Sequence, residues 1–216
     1  MSNHSSFFNR RLHSLLGVIP VGFFLVEHLL TNYFATRGPA VFQEKVEWIW
    51  DLPFLLALET VFIYLPLLYH ALYGLHIAFQ AKNNVVNHGT FRNYMFMLQR
   101  VTGVITLVFV GWHVWETRVQ VALRDLNPHE LTVMMHQILS SDVNFALYLI
   151  GVLAAVFHFS NGLWSFLVSW GITVGPRAQY VSTWVCMALF VVVSYIGVSA
   201  LFAFHNPEFL NQLAQR

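Results

Sequence analysis

The chain has 216 residues, of which 57% are hydrophobic and only 10% are charged, and its formal net charge is +1. A soluble domain carries roughly 25% charged residues, so this composition excludes an ordinary soluble domain and favours a membrane protein. The single cysteine, Cys186, excludes an internal disulfide and cannot supply the thiolates of an iron–sulfur cluster. We expect no nucleic-acid partner.

Five apolar segments are long enough to cross a bilayer, since a spanning helix needs about 20 apolar residues. In chain order they cover residues 15–34, 53–80, 96–117, 143–170 and 181–204. We therefore predict an all-α membrane protein, a single domain over residues 1–216 that forms a bundle of five transmembrane helices. Residues 2–12 lack the apolar core of a signal peptide, so we expect the first span to be retained as an anchor.

The sequence also predicts features of the connections between the spans and of the second span itself. The longest loops are predicted at 35–52 and 118–142, and the second of them is expected to contain a surface helix over Pro128–Leu139. Pro66 lies inside the second span and should kink it or loosen its hydrogen-bond ladder.

The distribution of charge predicts a cytoplasmic N-terminus and an external C-terminus. With that orientation, the inner segments hold no Asp or Glu, and the outer segments collect every acid that lies outside the spans. The numbers of Lys and Arg on the two sides decide little by themselves. The outer basic residues lie among acids or in a longer loop, which favours this orientation. The inner basic residues are Arg10, Arg11, Lys82, Arg92, Arg100 and Arg177.

Histidines 28, 70, 113 and 158 each lie in a different predicted span. With a rise of about 1.5 Å per residue, His28 and His113 lie roughly 5–14 Å below the outer charges. His70 and His158 lie roughly 24–29 Å below them by the same rise. Depth therefore predicts an outer pair, His28 with His113, and an inner pair, His70 with His158.

Each pair of imidazoles is suited to hold one haem iron from both sides. Such a haem carries electrons and has no free position for oxygen or substrate. The sequence thus predicts two b haems stacked across the bilayer. A single intramembrane histidine is equally explained by a hydrogen bond to a neighbouring helix, and the matched depths are what favour ligation. His76 competes with His70, but it faces another direction and lies closer to the inner surface.

A glycine follows each histidine of the inner pair by one helical turn, Gly74 after His70 and Gly162 after His158. Residues at i and i+4 share a helix face, so these glycines would remove side chains that press on a porphyrin. Helix–helix packing is the alternative, because small residues commonly serve it in membranes.

Two carboxylates lie well inside the predicted spans, Glu27 beside His28 and Glu59 in the outer part of the second span, whereas Glu116 lies at the outer end of the third. A carboxylate within the membrane is costly and is functional by default. Either residue is suited to carry a proton of quinone chemistry near the outer haem. The alternative is a neutral side chain that bonds a neighbouring helix.

Four stretches resemble the membrane cytochrome b subunit of succinate:menaquinone oxidoreductases, the five-helix, two-haem class of the succinate dehydrogenase/fumarate reductase family. The resemblance covers essentially the whole chain, and its strength comes from the joint order of the stretches. They are RRLHSLLGVIPVGFFLVEHLLTN (10–32), YHALYGLHIAF (69–79), QRVTGVITLVFVGWHVWE (99–116) and HFSNGLWSFLVSWGI (158–172).

The resemblance implies a flavoprotein partner, in which succinate and fumarate interconvert, and an iron–sulfur partner on the cytoplasmic face. It implies an outer, low-potential haem on His28 and His113 and an inner, high-potential haem on His70 and His158. The family exchanges quinone near the outer haem. The candidate proton carriers at that site are Glu47, Asp51 and Glu59.

A related fumarate reductase class has a glutamate two residues before its helix-four ligand. This chain has Val156 at that position, which argues against a shared transmembrane proton pathway.

The resulting hypothesis is a subunit of a bacterial plasma-membrane complex that passes electrons from the iron–sulfur partner through the inner and outer haems to menaquinone. Each electron that crosses toward the outer side gains about 2.3 kcal/mol per 100 mV of membrane potential. The same path in reverse would serve menaquinol:fumarate reduction. The b subunit of another quinone-linked complex, a haem-free transporter and a purely structural anchor are the alternatives. An oligomer of whole complexes is compatible with the sequence.

Overall fold

A computed structural model describes residues 2–82 and 85–213, and within these ranges the regular structure is helical throughout, without a strand. Five helical segments are long and apolar enough to cross a membrane, which confirms the predicted architecture. We call them spans 1 to 5, and they cover Ser6–Arg37, Leu55–Gln80, Phe91–Arg124, Asp142–Ser169 and Pro176–His205. The predicted domain also includes residues 1, 83–84 and 214–216, which lie outside the described residues.

The α-helices are numbered in chain order, and most of them form parts of the spans. Span 1 contains α1 and α2, span 2 contains α4 and α5, and span 3 contains α6 and α7. Spans 4 and 5 are the single helices α9 and α10. The helices are α1 (Ser2–Val18), α2 (Pro20–Tyr33), α3 (Pro39–Trp50), α4 (Leu55–Glu59), α5 (Leu65–Gln80), α6 (Phe91–Val114), α7 (Gln120–Arg124), α8 (Pro128–Leu139), α9 (Asp142–Ser169) and α10 (Pro176–His205).

Irregular turns interrupt the first three spans. Span 1 breaks between α1 and α2 at Pro20, because proline has no N–H to continue the hydrogen-bond ladder. Span 2 contains a π-helical turn at Thr60–Tyr64, which ends two residues before Pro66. The expectation that Pro66 loosens the ladder of span 2 is therefore confirmed. Span 3 contains a second π-helical turn at Trp115–Val119.

The helices are longer than the apolar segments that predicted them. Residues 35–37 and 118–124, expected in loops, continue spans 1 and 3. The connection at 35–52 also contains a helix that was not predicted, α3, which begins at Pro39.

Helix α8 matches the predicted surface helix over Pro128–Leu139. It begins with a capping box, in which the Asn127 side chain accepts from the Glu130 N–H at 3.0 Å and the Glu130 carboxylate accepts from the Asn127 N–H at 2.9 Å.

Span 4 lies at the centre of the bundle. The neighbouring spans pack against it, and this packing positions the functional side chains that they carry. Val156 and Ser160 of this span are 0% exposed, and span 4 packs against spans 1, 3 and 5. Spans 2 and 3 keep broad apolar faces exposed, as expected for helices that contact lipid or other subunits.

Helices α3 and α8 cover one end of spans 4 and 5. The ring of Phe42 in α3 meets that of Phe204 edge to face, with centroids 5.0 Å apart. His136 of α8 donates from Nδ1 to the Phe204 carbonyl at 2.8 Å, and His205 donates to the Leu139 carbonyl at 2.7 Å. These contacts fix the end of the bundle near which the outer histidine pair lies.

Candidate cofactor site

The structure brings the four intramembrane histidines together as two pairs. The ring centroids of His70 in span 2 and His158 in span 4 are 6.0 Å apart, and their ring planes make an angle of 81°. The centroids of His28 in span 1 and His113 in span 3 are 5.8 Å apart, with an angle of 69°. Each pair therefore joins two different spans, and the partners are those that depth predicted.

These separations suit one metal atom between each pair of rings. An imidazole nitrogen binds a transition metal at about 2 Å, so two such bonds together with the ring radii span roughly 6 Å. No group of three or more His, Cys, Asp or Glu side chains in the described ranges is placed to hold a metal ion. Two imidazoles suit a haem iron, because the porphyrin supplies the remaining nitrogen ligands.

The inner pair has its tautomers fixed by backbone carbonyls. His70 Nδ1 lies 2.9 Å from the carbonyl oxygen of His13, and His158 Nδ1 lies 2.9 Å from that of Gln99. A carbonyl only accepts, so each Nδ1 carries the proton and donates it. The Nε2 lone pair of both rings is therefore available as a metal ligand.

Polar side chains hold the inner pair in place. The ring of His13 stacks on that of His70, with centroids 4.1 Å apart and 9° between the planes. Gln99 donates from Nε2 to the His158 carbonyl at 2.9 Å, and Asn161 donates to Gln99 Oε1 at 2.7 Å. His13 of α1 thus contacts His70 directly.

His76, the competitor of His70, lies on the exposed part of span 2. Its Nε2 lies 3.0 Å from the side-chain nitrogen of Gln80. The structure therefore places His70, and not His76, opposite His158.

Glycines on neighbouring helices make room for both imidazoles of the inner pair. A methyl group on Gly17 of span 1 would overlap the ring of His70, and one on Gly103 of span 3 would lie 2.8 Å from Cε1 of His158. Sequence reasoning missed both residues, because their contacts depend on how one helix is rotated against another.

The predicted glycines Gly74 and Gly162 contact the supports of the inner pair. A methyl group on Gly74 would lie 2.9 Å from Cε1 of His13, and one on Gly162 would lie 3.1 Å from Nε2 of Gln99. This geometry favours the helix-packing alternative for the two residues.

The outer pair has different hydrogen-bond partners. His113 Nδ1 lies 3.3 Å from the hydroxyl of Tyr148, which donates to Glu116 Oε2 at 3.1 Å. Asn32 donates to the carbonyl of His28 at 2.7 Å and lies 3.4 Å from its Nε2. Sequence reasoning missed Glu116 and Tyr148. The available signal was the spacing of Glu116, three residues after His113 on the same helix face.

Arg100 offers donors for an anionic group beside the inner pair. It follows Gln99, its Nε is buried without a hydrogen-bond partner, and its Nη1 donates to the Ala81 carbonyl at 3.3 Å. A haem carries propionates, and a guanidinium is a strong partner for carboxylates. The paired imidazoles, their tautomers and this arginine fit a b-type haem.

The three candidate proton carriers have different surroundings. Glu59 forms a bidentate ion pair with Arg118 of span 3, with N–O distances of 2.8, 3.0 and 3.2 Å, and its side chain is 16% exposed. Glu47 and Asp51 are exposed in and directly after α3. Glu27, the carboxylate of span 1, is exposed and accepts from Thr31 at 2.7 Å.

The fold and the paired histidines define a membrane-spanning subunit of a redox complex, and the chain belongs to the family of succinate dehydrogenase/fumarate reductase transmembrane subunits, whose family model matches residues 88–197. The chain is also 54% identical over 205 residues to the succinate dehydrogenase cytochrome b558 subunit of Bacillus subtilis (strain 168). That match covers 94% of this chain and 100% of the relative. The resemblance inferred from the sequence is confirmed, and the chain is a multi-pass protein of the bacterial plasma membrane.

Proposed function

We propose that the chain is the di-haem cytochrome b subunit of a succinate dehydrogenase, which anchors the flavoprotein and iron–sulfur subunits and connects them to menaquinone. The observation that carries the proposal is the pairing of four histidines from four spans, with ring centroids 5.8 and 6.0 Å apart. The name of the Bacillus subtilis relative supports both the cofactor class and the complex.

The four histidines are the residues that would hold two b haems, His70 with His158 toward the inside and His28 with His113 toward the outside. A haem with an imidazole on each side supplies one-electron transfer and leaves no position for oxygen or substrate. The carbonyls of His13 and Gln99 keep the inner imidazoles in the ligand tautomer. Arg100 would pair with a propionate.

The side assignments follow from the proposed orientation, with the N-terminus inside and the C-terminus outside. The iron–sulfur subunit then docks near the inner pair, where Arg10, Arg11, Lys82 and Arg177 provide positive charge. Menaquinone is reduced near the outer pair, where protons come from the external side. Reduction at that side uses the membrane potential to draw electrons across the bilayer.

Glu59 is the strongest of the three candidate proton carriers at the quinone site. It lies within a span, and its ion pair with Arg118 holds the carboxylate in one orientation between spans 2 and 3. Glu47 and Asp51 lie in the external connection under the proposed orientation, so they would serve proton entry from the surface.

The proposal is tested by comparing two activities of the purified complex. Reduction of a soluble dye by succinate needs only the partner subunits, whereas reduction of a menaquinone analogue also needs this chain. We expect His70→Ala and His158→Ala to abolish quinone reduction while dye reduction persists. His76→Ala, on the exposed part of the same span as His70, is the matched control and should retain both activities. Full quinone reduction in His70→Ala and His158→Ala would contradict the proposal.

A further inference from the structure

Tyr148 of span 4 lies between two groups of span 3. Its side chain is buried, with 2% of the residue exposed. The phenol oxygen is 3.1 Å from Glu116 Oε2 and 3.3 Å from His113 Nδ1. A continuous chain of hydrogen bonds therefore runs from the carboxylate through the phenol to the imidazole.

The proton order in this chain follows from the chemistry of its members. The phenol has one proton, and it donates that proton to Glu116. The hydroxyl oxygen is then left to accept from the N–H at Nδ1 of His113. This order places the proton of the imidazole on Nδ1 and leaves Nε2 as the metal ligand.

Aromatic packing holds the phenol in this position. The rings of Phe109 and Trp112 lie edge to face against the ring of Tyr148, with centroids 5.3 and 5.1 Å away. Phe109 also stacks on His113, and Gly151 of span 4 allows its ring to lie against the helix backbone. The hydroxyl therefore has little freedom to turn away from its partners.

The inner pair is supported differently, since both of its Nδ1 atoms donate to neutral backbone carbonyls. The ring of His113, by contrast, has the carboxylate of Glu116 behind its hydrogen-bond partner Tyr148. A carboxylate that accepts, through a hydroxyl, from an imidazole N–H increases the basicity of the opposite nitrogen. A more basic axial ligand stabilises ferric iron and lowers the reduction potential.

We propose that Glu116 and Tyr148 are positioning residues that act through His113 to lower the potential of the outer haem relative to the inner one. This inference rests on the proposed function, because it takes His113 as a haem ligand. The chain itself thereby contributes to the order of the two potentials. Both residues act through the imidazole and touch neither iron nor quinone.

The experiment is a potentiometric titration of the complete purified complex, followed by haem absorption, for the wild type, Tyr148→Phe and Glu116→Gln. We expect both variants to shift one of the two redox transitions upward by about tenfold in its equilibrium constant, which is about 59 mV for one electron. The other transition should stay fixed. The low-spin ferric resonance of the same haem should change as well, because its axial ligand loses a hydrogen-bonded support.

Two further variants separate this role from charge and packing. Glu116→Asp keeps a carboxylate, so its redox transition should lie closer to the wild-type position than that of Glu116→Gln. Glu27→Gln removes a carboxylate beside His28 that accepts from Thr31, and it should shift either transition by much less than Glu116→Gln does, because Glu27 has no hydroxyl bridge to an imidazole in the described structure.

The inference is overturned if both transitions stay fixed in Glu116→Gln, or if Glu27→Gln produces the same shift as Glu116→Gln. It is also overturned if only Tyr148→Phe has an effect, since the carboxylate would then play no part. A complex that contains no haem would instead contradict the proposed function. Glu116 is partly exposed, so its variants keep the test valid if Tyr148→Phe fails to assemble.

Discussion

Gly103 of span 3 lies directly against the imidazole of His158 in span 4, so that a methyl group at Gly103 would come within 2.8 Å of Cε1 of the ring. The imidazole occupies the room that a side chain would otherwise fill. The position of a proposed ligand is thus set by a glycine on another helix, in addition to its bond to the Gln99 carbonyl.

We expect Gly103→Ala to displace His158 and to remove one of the two haems. Alanine is favoured over glycine inside a helix by about 1 kcal/mol, so a loss of haem in this variant cannot come from a lower helix propensity. Gly111→Ala in the same helix is the matched control, because nothing lies within 4 Å of its added methyl group. The measurement is the haem content per chain, and equal contents in the two variants would contradict this account of Gly103.

The polar contact between Asn161 and Gln99 should stabilise spans 3 and 4 against each other. Asn161 is 3% exposed and donates to Gln99 Oε1 at 2.7 Å and to the Met95 carbonyl at 3.1 Å. Asn161→Leu leaves those acceptors without their donor, which costs about 1–3 kcal/mol. Thermal unfolding of the purified complex should show a lower midpoint for Asn161→Leu than for Asn211→Leu, an exposed asparagine. Equal midpoints would contradict this role.

The ion pair of Glu59 with Arg118 should contribute more to the free energy of unfolding than the surface pair of Glu44 with Lys45. Glu59 is 16% exposed and bonds in a bidentate manner, whereas the Glu44 side chain is 69% exposed. Glu59→Gln should lower the free energy of unfolding by about 1.5–3 kcal/mol, the range for hydrogen bonds to charged groups. Glu44→Gln should have little effect, because solvent screens exposed pairs.

Glu59→Gln also tests the quinone site. We expect it to slow succinate-dependent reduction of a menaquinone analogue while dye reduction is unchanged, because the amide cannot carry a proton. Glu47→Gln and Asp51→Asn should have smaller effects, since these residues are exposed and outside the spans. A larger effect of either one would assign the proton carrier to the external connection instead.

The proposed orientation can be tested by cysteine labelling, because the chain has one cysteine, Cys186, and it is buried. In a Cys186→Ser background, we expect a membrane-impermeant maleimide to label Glu44→Cys on intact cells. Lys82→Cys should be labelled only after lysis, because it lies on the inner side. The opposite pattern would reverse the orientation and exchange the inner and outer assignments of the two histidine pairs.

The sequence predicts the spans and the histidine pairs well, for physical reasons. Apolar length determines how much chain can cross a bilayer, and the rise of a helix converts residue number into depth. These two quantities were enough to place His70 with His158 and His28 with His113. The capping residues of α8, Asn127 and Glu130, are likewise only three positions apart in the chain, and Pro128–Leu139 was predicted with its observed ends.

The residues that contact and position each histidine could not be predicted from the sequence. These contacts depend on how each helix is rotated and on which helices are neighbours. Gly17, Gly103 and Tyr148 contact imidazoles on other spans, and no periodicity within one span reports such contacts. Helix α3 was also missed, since residues 35–52 were predicted as a loop. The Gly38-Pro39 pair was the usable signal there, because proline is favoured at the first position of a helix.

The most direct test of the account is a dithionite-reduced minus oxidised absorption spectrum of the purified complex, together with a pyridine haemochrome count. We predict two b haems per chain with low-spin bands. We also predict that one haem is lost in each of His70→Ala and His158→Ala and that the remaining haem is the same in both. A wild-type complex without haem, from cells with adequate haem supply, would contradict the account, as would two haems retained in both variants.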